Sequence, residues 1–172
     1  AVEKEFFLKS DTKLEGYLTL LNIPFTEKWG LKLILADIAQ FTGLFPTASG
    51  ISSSNKLYVD GMFNGRGWTD IAKSTRGQAL LSNKLELRMP VVPGIIGVDG
   101  FFDMIAVKPT VSEMSKLSLS DFYFSFGPGI RFLLPQLPLN LLFSWKFRYD
   151  NGAFKFEDDP FQFVLSFNIV NY

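Results

Sequence analysis

The sequence predicts an all-β fold, an antiparallel up-and-down transmembrane β-barrel, from three observations. Apolar residues make up 47% of the 172-residue chain, yet no apolar run approaches the ~20 residues that a membrane-crossing helix needs. The apolar residues instead alternate with polar ones, over stretches of about 11 to 17 residues, well beyond the ~5–6 of an ordinary strand. The chain also carries 19 Phe, and most of them fall on the apolar parity of the later strands.

The first strand runs from Leu8 to Leu20. Leu8, Leu14, Leu18 and Leu20 share one parity, and Lys9, Asp11, Lys13 and Glu15 share the other. A helix would scatter those charges around its axis; a strand separates them by face. Asn22 to Lys28, with Pro24, is a turn. Trp29 to Phe45 is the second strand. Its Lys32 and Asp37 fall on opposite parities, which a β-bulge between them would reconcile. Pro46 to Asn55 reads as loop. Residues 56–77 hold the short apolar stretch Leu57-Tyr58-Val59 and then Gly61, Gly65, Gly67 and Gly77. This glycine content weakens a strand and predicts a long ordered loop; Asp60 and Gly61 argue against an extra strand at 56–63.

Gln78 to Pro90 is the third strand, with Leu85, Leu87 and Met89 against Lys84, Glu86 and Arg88. Val91 to Gly94 is a tight turn. Ile95 to Val107 is the fourth strand, with Val98, Phe102, Met104 and Ala106 on one face and Asp99, Phe101, Asp103 and Ile105 on the other. After a polar loop, Ser120 to Leu134 is the fifth strand, whose Phe122, Phe124, Phe126, Ile130 and Phe132 share the apolar parity. Pro135 to Pro138 turns into the sixth strand, Leu139 to Tyr149. There Leu139, Leu141, Phe143, Trp145 and Phe147 oppose Asn140, Ser144, Lys146 and Arg148. Asp150 to Pro160 reads as a loop. The last strand is Phe161 to Val170, with Phe161, Phe163, Leu165, Phe167 and Ile169 on one face. Connections after the first, third and fifth strands are short, and those after the second, fourth and sixth are longer. That alternation is the pattern of an outer-membrane barrel with short turns on one side and long loops on the other.

A soluble barrel also alternates, with its apolar side chains inward. The strand lengths, the charge-free face crowded with Phe, Leu and Trp, and aromatics at strand ends (Trp29, Phe45, Tyr149, Phe161, Tyr172) favour a membrane barrel, for which they form the apolar band and its girdles. On this reading Phe122, Phe124, Phe143, Trp145, Phe163, Leu165 and Phe167 face lipid. With 17 Lys+Arg against 17 Asp+Glu, the net charge is zero, and nothing points to nucleic acid. The absence of both Cys and His removes disulfides, thiolate chemistry, His-ligated metals and His-dependent triads. No cofactor, metal or catalytic residue is expected, and the protein is read as a non-enzyme.

Asn64-Gly65-Arg66-Gly67-Trp68 resembles the Val-Arg-Gly-Phe/Tyr signature of the BamA family of outer-membrane insertases and their relatives. After it come Leu85-Glu86-Leu87-Arg88-Met89-Pro90, similar to the family's strand ending in Pro, and Gly100-Phe101-Phe102-Asp103-Met104, similar to its aromatic-rich strand with an inward Asp. Then follow Gly127-Pro128-Gly129-Ile130-Arg131-Phe132, Pro138-Leu139 opening the penultimate strand, and an aromatic-rich end at Tyr172. Trp68 stands where the family has Phe or Tyr.

The resemblance implies that the loop carrying Arg66 folds back into the barrel. There Arg66 would meet Asp103 and Glu86, with Phe101 packing nearby and Gly65, Gly67 and Trp68 completing a structural latch. The inward parity of both acids agrees independently, and a guanidinium can fork two carboxylates. The resemblance further implies a bacterial outer-membrane location and insertion of other β-barrel proteins through a lateral gate. The gate would involve the last strand at Phe161, Phe163, Leu165, Phe167 and Ile169. Implied partners are outer-membrane lipid, unfolded outer-membrane protein clients, periplasmic POTRA domains and assembly lipoproteins. Alternatives are a secretion pore of the same superfamily or a small structural or adhesive barrel. Residues 1–172 are read as one barrel domain with its long loop at about 46–77. Seven strands are counted where a closed single-chain bacterial barrel has an even number, so the chain is expected to be the C-terminal portion of a larger barrel. Ala1-Val2-Glu3-Lys4-Glu5 lacks a secretory signal pattern, which fits either a removed signal or a piece of something longer.

Overall fold

The computed structural model describes residues 5–27, 29–47, 50–136 and 138–167. Seven strands form one sheet in strict chain order: β1 (Phe7–Pro24), β2 (Gly30–Pro46), β3 (Ala79–Val92), β4 (Ile96–Lys108), β5 (Tyr123–Phe132), β6 (Leu139–Asp150) and β7 (Ala153–Phe167). Each pairs antiparallel with its sequence neighbour. Among the described residues β1 and β7 do not pair with each other, so the meander is an open part of a barrel wall. No helix among the described residues is long and apolar enough to cross a membrane; crossing here belongs to the strands.

Register carries the period-two pattern of the sequence across the whole sheet. Lys84, Asp103, Ser125 and Lys146 stand in one row, and Glu86, Phe101 and the backbone of Gly127 in the next. On the opposite face Leu85, Phe102, Phe126, Trp145 and Phe161 form a row, as do Phe143 and Phe163 below it. One face is therefore polar and charged, the other apolar. A one-residue slip of any strand would exchange the two faces, so the register is strongly specified.

Three elements depart from the sequence expectations. The bulge falls in β1 between Thr19 and Leu21, while β2 holds an unbroken register against β3 from Ile34 to Gly43. Asp37 is consequently left on the apolar face, where Asn83 of β3 donates to its Oδ1 at 2.7 Å. Second, Asp150 to Pro160 is not a loop. Asn151 and Gly152 take φ of 49° and 83°, the two left-handed positions of a tight hairpin turn. β7 starts at once at Ala153, and Glu157 to Pro160 bulge out of its pairing with β6. Third, Phe122 and Phe124 have the apolar-face parity but are only 7% and 4% exposed. The β4–β5 connection, with its short 3-10 turns at Ser112–Lys116 and Leu119–Asp121, brings Leu117 and Phe122 over that face. They pack with Ala106, Phe102, Phe147 and Tyr149. Phe126, Phe161, Phe163, Leu165 and Phe167 remain exposed on the apolar side, while Phe143 and Trp145 are half-buried among their neighbours.

The core on the polar face comes from the long β2–β3 connection. Residues 57–77 fold back over β3–β6, tied to themselves by a bridge between Leu57 and Gly77. Val59 and Trp68 bury against Leu80 and Ile105, with Leu57, Ile71, Val107 and Tyr123 around them. The possible extra strand at 56–63 does not form.

Candidate functional site

The loop tip is shaped before it meets the wall. Asp60 Oδ1 accepts the backbone N–H groups of Met62, Phe63 and Asn64 at 2.7 to 2.9 Å, an Asx-type turn that reverses the chain. Gly65 and Gly67 follow with φ of 64° and 99°, the left-handed region that other residues rarely enter. Space imposes the same choice. A Cβ on Gly65 would stand 2.7 Å from Ile105 Cγ2, and one on Gly67 would run into the Ser144 hydroxyl. The two glycines let the backbone lie directly on the sheet.

Arg66, between them, is 6% exposed. Its Nε and Nη2 donate to the two oxygens of Asp103 at 2.8 and 2.5 Å, and its Nη1 donates to Glu86 Oε1 at 2.6 Å. Its backbone N–H also donates to Asp103 Oδ2 at 3.0 Å. The guanidinium carbon lies 4.3 Å above the Phe101 ring centre, so a cation–π contact closes the face left free by the carboxylates. Burial alone would lower the Arg66 pKa, but the charges of Asp103 and then Glu86 outweigh it and hold the pKa above its ordinary value.

The cluster extends beyond the residues singled out by the motif. Glu86 Oε2 accepts from Arg88 Nε at 2.7 Å and from Arg131 at 3.1 Å, and Arg131 reaches on to Asp99 Oδ2 at 2.7 Å. Glu86 thus contacts three arginines from three different parts of the fold. Asp99, Arg88 and Arg131 were legible only as charged residues of the correct parity. Beside the cluster a small polar cavity of about 150 Å³ opens between Met62, Phe63, Lys84, Arg131 and Ser166.

Trp68 is 3% exposed. Its Nε1 donates to the Phe124 carbonyl on β5 at 3.0 Å, and its ring meets Tyr123 edge-on at 5.0 Å between centroids. The Ser144 hydroxyl on β6 donates to the Arg66 carbonyl at 2.7 Å. Ser144 had no signal in the sequence beyond polar parity. Glu86, Phe101, Asp103 and the loop residues Gly65 to Trp68 therefore come together in one place. Phe161, Phe163, Leu165 and Phe167 lie elsewhere, on the edge strand β7 with their side chains exposed on the apolar face; Ile169 and Tyr172 fall outside the described residues. Among the described residues no group of three or more His, Cys, Asp or Glu is arranged to hold a metal ion.

An open antiparallel meander of long strands, apolar on one face, with a long loop folded onto its charged face and pinned by a buried ion cluster, defines the wall of an outer-membrane-type β-barrel. Residues 1–169 match the Omp85 superfamily domain, and the chain belongs to that superfamily. It is 36% identical over 197 aligned positions to a protein of Treponema pallidum (strain Nichols) named "Putative outer membrane protein assembly factor". The match covers 99% of this chain and 23% of the relative, so the chain spans about a quarter of that protein's length. No solved structure matches the chain.

Proposed function

We propose that this chain is a barrel portion of an outer-membrane protein assembly factor, and that it works without bond chemistry. The whole protein would insert β-barrel clients into a bacterial outer membrane. The observation that carries this reading is the Arg66 cluster. A loop is pinned by one guanidinium to Asp103 and Glu86, inside the wall of a protein that belongs to the Omp85 superfamily. The T. pallidum relative, named for assembly of outer-membrane proteins, supports assembly over secretion.

In this reading Arg66, Glu86, Asp103, Phe101, Gly65, Gly67 and Trp68 form a latch that holds the loop against the wall. The other working part is the β7 edge, at Phe161, Phe163, Leu165 and Phe167. An unpaired strand edge in lipid leaves backbone N–H and C=O groups unsatisfied, at several kcal/mol per group. Such an edge demands a partner, and a client strand added by β-augmentation satisfies it. The partners are then outer-membrane lipid and unfolded barrel clients, with POTRA domains and assembly lipoproteins acting from the periplasm.

The test places Cys residues along Phe161–Phe167 of the full-length protein and in the terminal strand of a client during assembly. Disulfide capture at β7, with little capture at the middle strands β3 and β4, is the expected result. Capture nowhere along β7 would remove the templating edge. A folded secreted substrate trapped within the barrel instead would put the secretion pore ahead.

A further inference from the structure

β5 and β6 keep one register from end to end, yet their ladder has a hole. Phe126 pairs with Trp145 and Gly129 with Leu142, but Gly127 and Pro128, between them, do not pair with Ser144 and Phe143. Pro128 has no N–H to give. At Gly127 the strands lie close together: a Cβ there would run into the Phe143 carbonyl oxygen. The apolar face is hollow at the same place. Two depressions of about 490 Å³ each share Leu87, Gly100 and Pro128 in their lining. The ladder therefore lacks one donor, at Pro128, where the apolar face is also hollow.

The loop tip lies over that spot on the other face. Ser144, opposite Gly127, turns its hydroxyl to the Arg66 carbonyl at 2.7 Å. Trp68 donates to Phe124, on the β5 side of the hole, at 3.0 Å. The ammonium group of Lys146, on the β6 side, stands 5.6 Å from the Trp68 ring centre. Phe101 of β4 reaches across the glycine-lined stretch of β5 to pack on Leu142 and Val164. Loop contacts therefore reach both strands flanking the hole, while the Arg66 guanidinium anchors the tip to β3 and β4.

We infer that the β5–β6 hole is a yielding seam in the barrel wall, and that Ser144 is a positioning residue through which the loop tip holds the seam shut. The latch and the seam are one device: Arg66 sets the tip, and Ser144 and Trp68 transmit its position across the interrupted ladder. When the tip withdraws, β5 and β6 lose their bracing where their own ladder is missing. This inference rests on the loop contacts and stands whether or not the barrel inserts clients.

Hydrogen exchange read by mass spectrometry on the full-length protein in lipid nanodiscs tests it. Ser144→Ala should speed exchange of the amides flanking the hole about three- to tenfold, the effect of one lost hydrogen bond, and leave β1–β2 amides unchanged. Trp68→Phe, which removes the indole donor and part of the buried ring, should act in the same place. Pro128→Ala restores an N–H, and should slow exchange there and make it insensitive to Ser144→Ala. A structural polar contact of no special role would not be rescued by a change on the facing strand. Unchanged exchange in both Ser144→Ala and Trp68→Phe would overturn the inference. So would equal acceleration in all strands, or a Pro128→Ala protein still sensitive to Ser144→Ala.

Discussion

Arg66 grips Asp103 with its main chain and its side chain together: the backbone N–H, Nε and Nη2 all donate to that one carboxylate. Position and charge of the loop tip are thereby set by the same group on β4. The Asp103 side chain is 1% exposed and that of Arg66 8%, so neither partner can turn to water if the other is removed.

Removing one side of this pair should cost about 3–5 kcal/mol of local stability, since it strands a buried charge. Arg66→Ala and Asp103→Ala are each expected to release the loop, read as protease cleavage within residues 57–77 while the β-sheet stays folded. Arg66→Lys should fall between, because an ammonium cannot fork Asp103 and Glu86 at once. The two alanine changes together should cost less than their sum, as members of one coupled pair.

Glu86 should prove as sensitive as Asp103, for a different reason. It contacts Arg66, Arg88 and Arg131, and Glu86→Gln leaves three guanidiniums facing Asp99 and Asp103 alone. Heat-modifiability on gels, which reports the folded barrel, should shift to lower temperature in Glu86→Gln. Arg88→Gln should shift it less, because the Arg88 side chain is 28% exposed and its pair is partly solvated.

Charge placed on the apolar face should destabilise by depth. Phe163→Arg, in an exposed mid-strand row, is expected to cost about 2–4 kcal/mol in lipid. Phe124→Arg should be at least as harmful for another reason: Phe124 is buried against Phe147 and Phe154, so the cost comes from the cluster itself. Chemical unfolding in liposomes, compared with detergent, separates the two, because only the Phe163 penalty depends on bilayer thickness.

How far the sequence reached follows from what parity can carry. Strand order, faces and the meeting of Arg66 with Asp103 and Glu86 were legible, because period two puts both acids on one face and the motif puts the Arg in a glycine-bounded loop. The Asn151-Gly152 turn was also there to be read, but Glu157-Asp158-Asp159-Pro160 made the stretch resemble a loop; a bulge carries those residues out of the ladder. Phe122 and Phe124 had the correct parity, and parity says nothing of a connection folding over a face. The role of Ser144 needed three-dimensional proximity to the Arg66 carbonyl, 78 positions away in the chain.

Asp37 offers the last test, because the same register that explains the sheet leaves a carboxylate on its apolar side. The site holds a diagonal pair, Asn83 on Asp37 at 2.7 Å, with Gly16 across from Asp37 on β1 adding no side chain to cover it. Removing one partner leaves the other polar group unpaired against lipid, and removing both does not. Asp37→Leu alone should therefore change stability little, the gain in apolar surface being offset by an orphaned Asn83 amide. Asp37→Leu with Asn83→Leu should raise it, by about 1–3 kcal/mol if the pair lies within the hydrocarbon band. Unfolding midpoints in liposomes of the two single variants and the double variant decide it. A double variant no more stable than the parent would place Asp37 and Asn83 at the headgroup level, where water satisfies both.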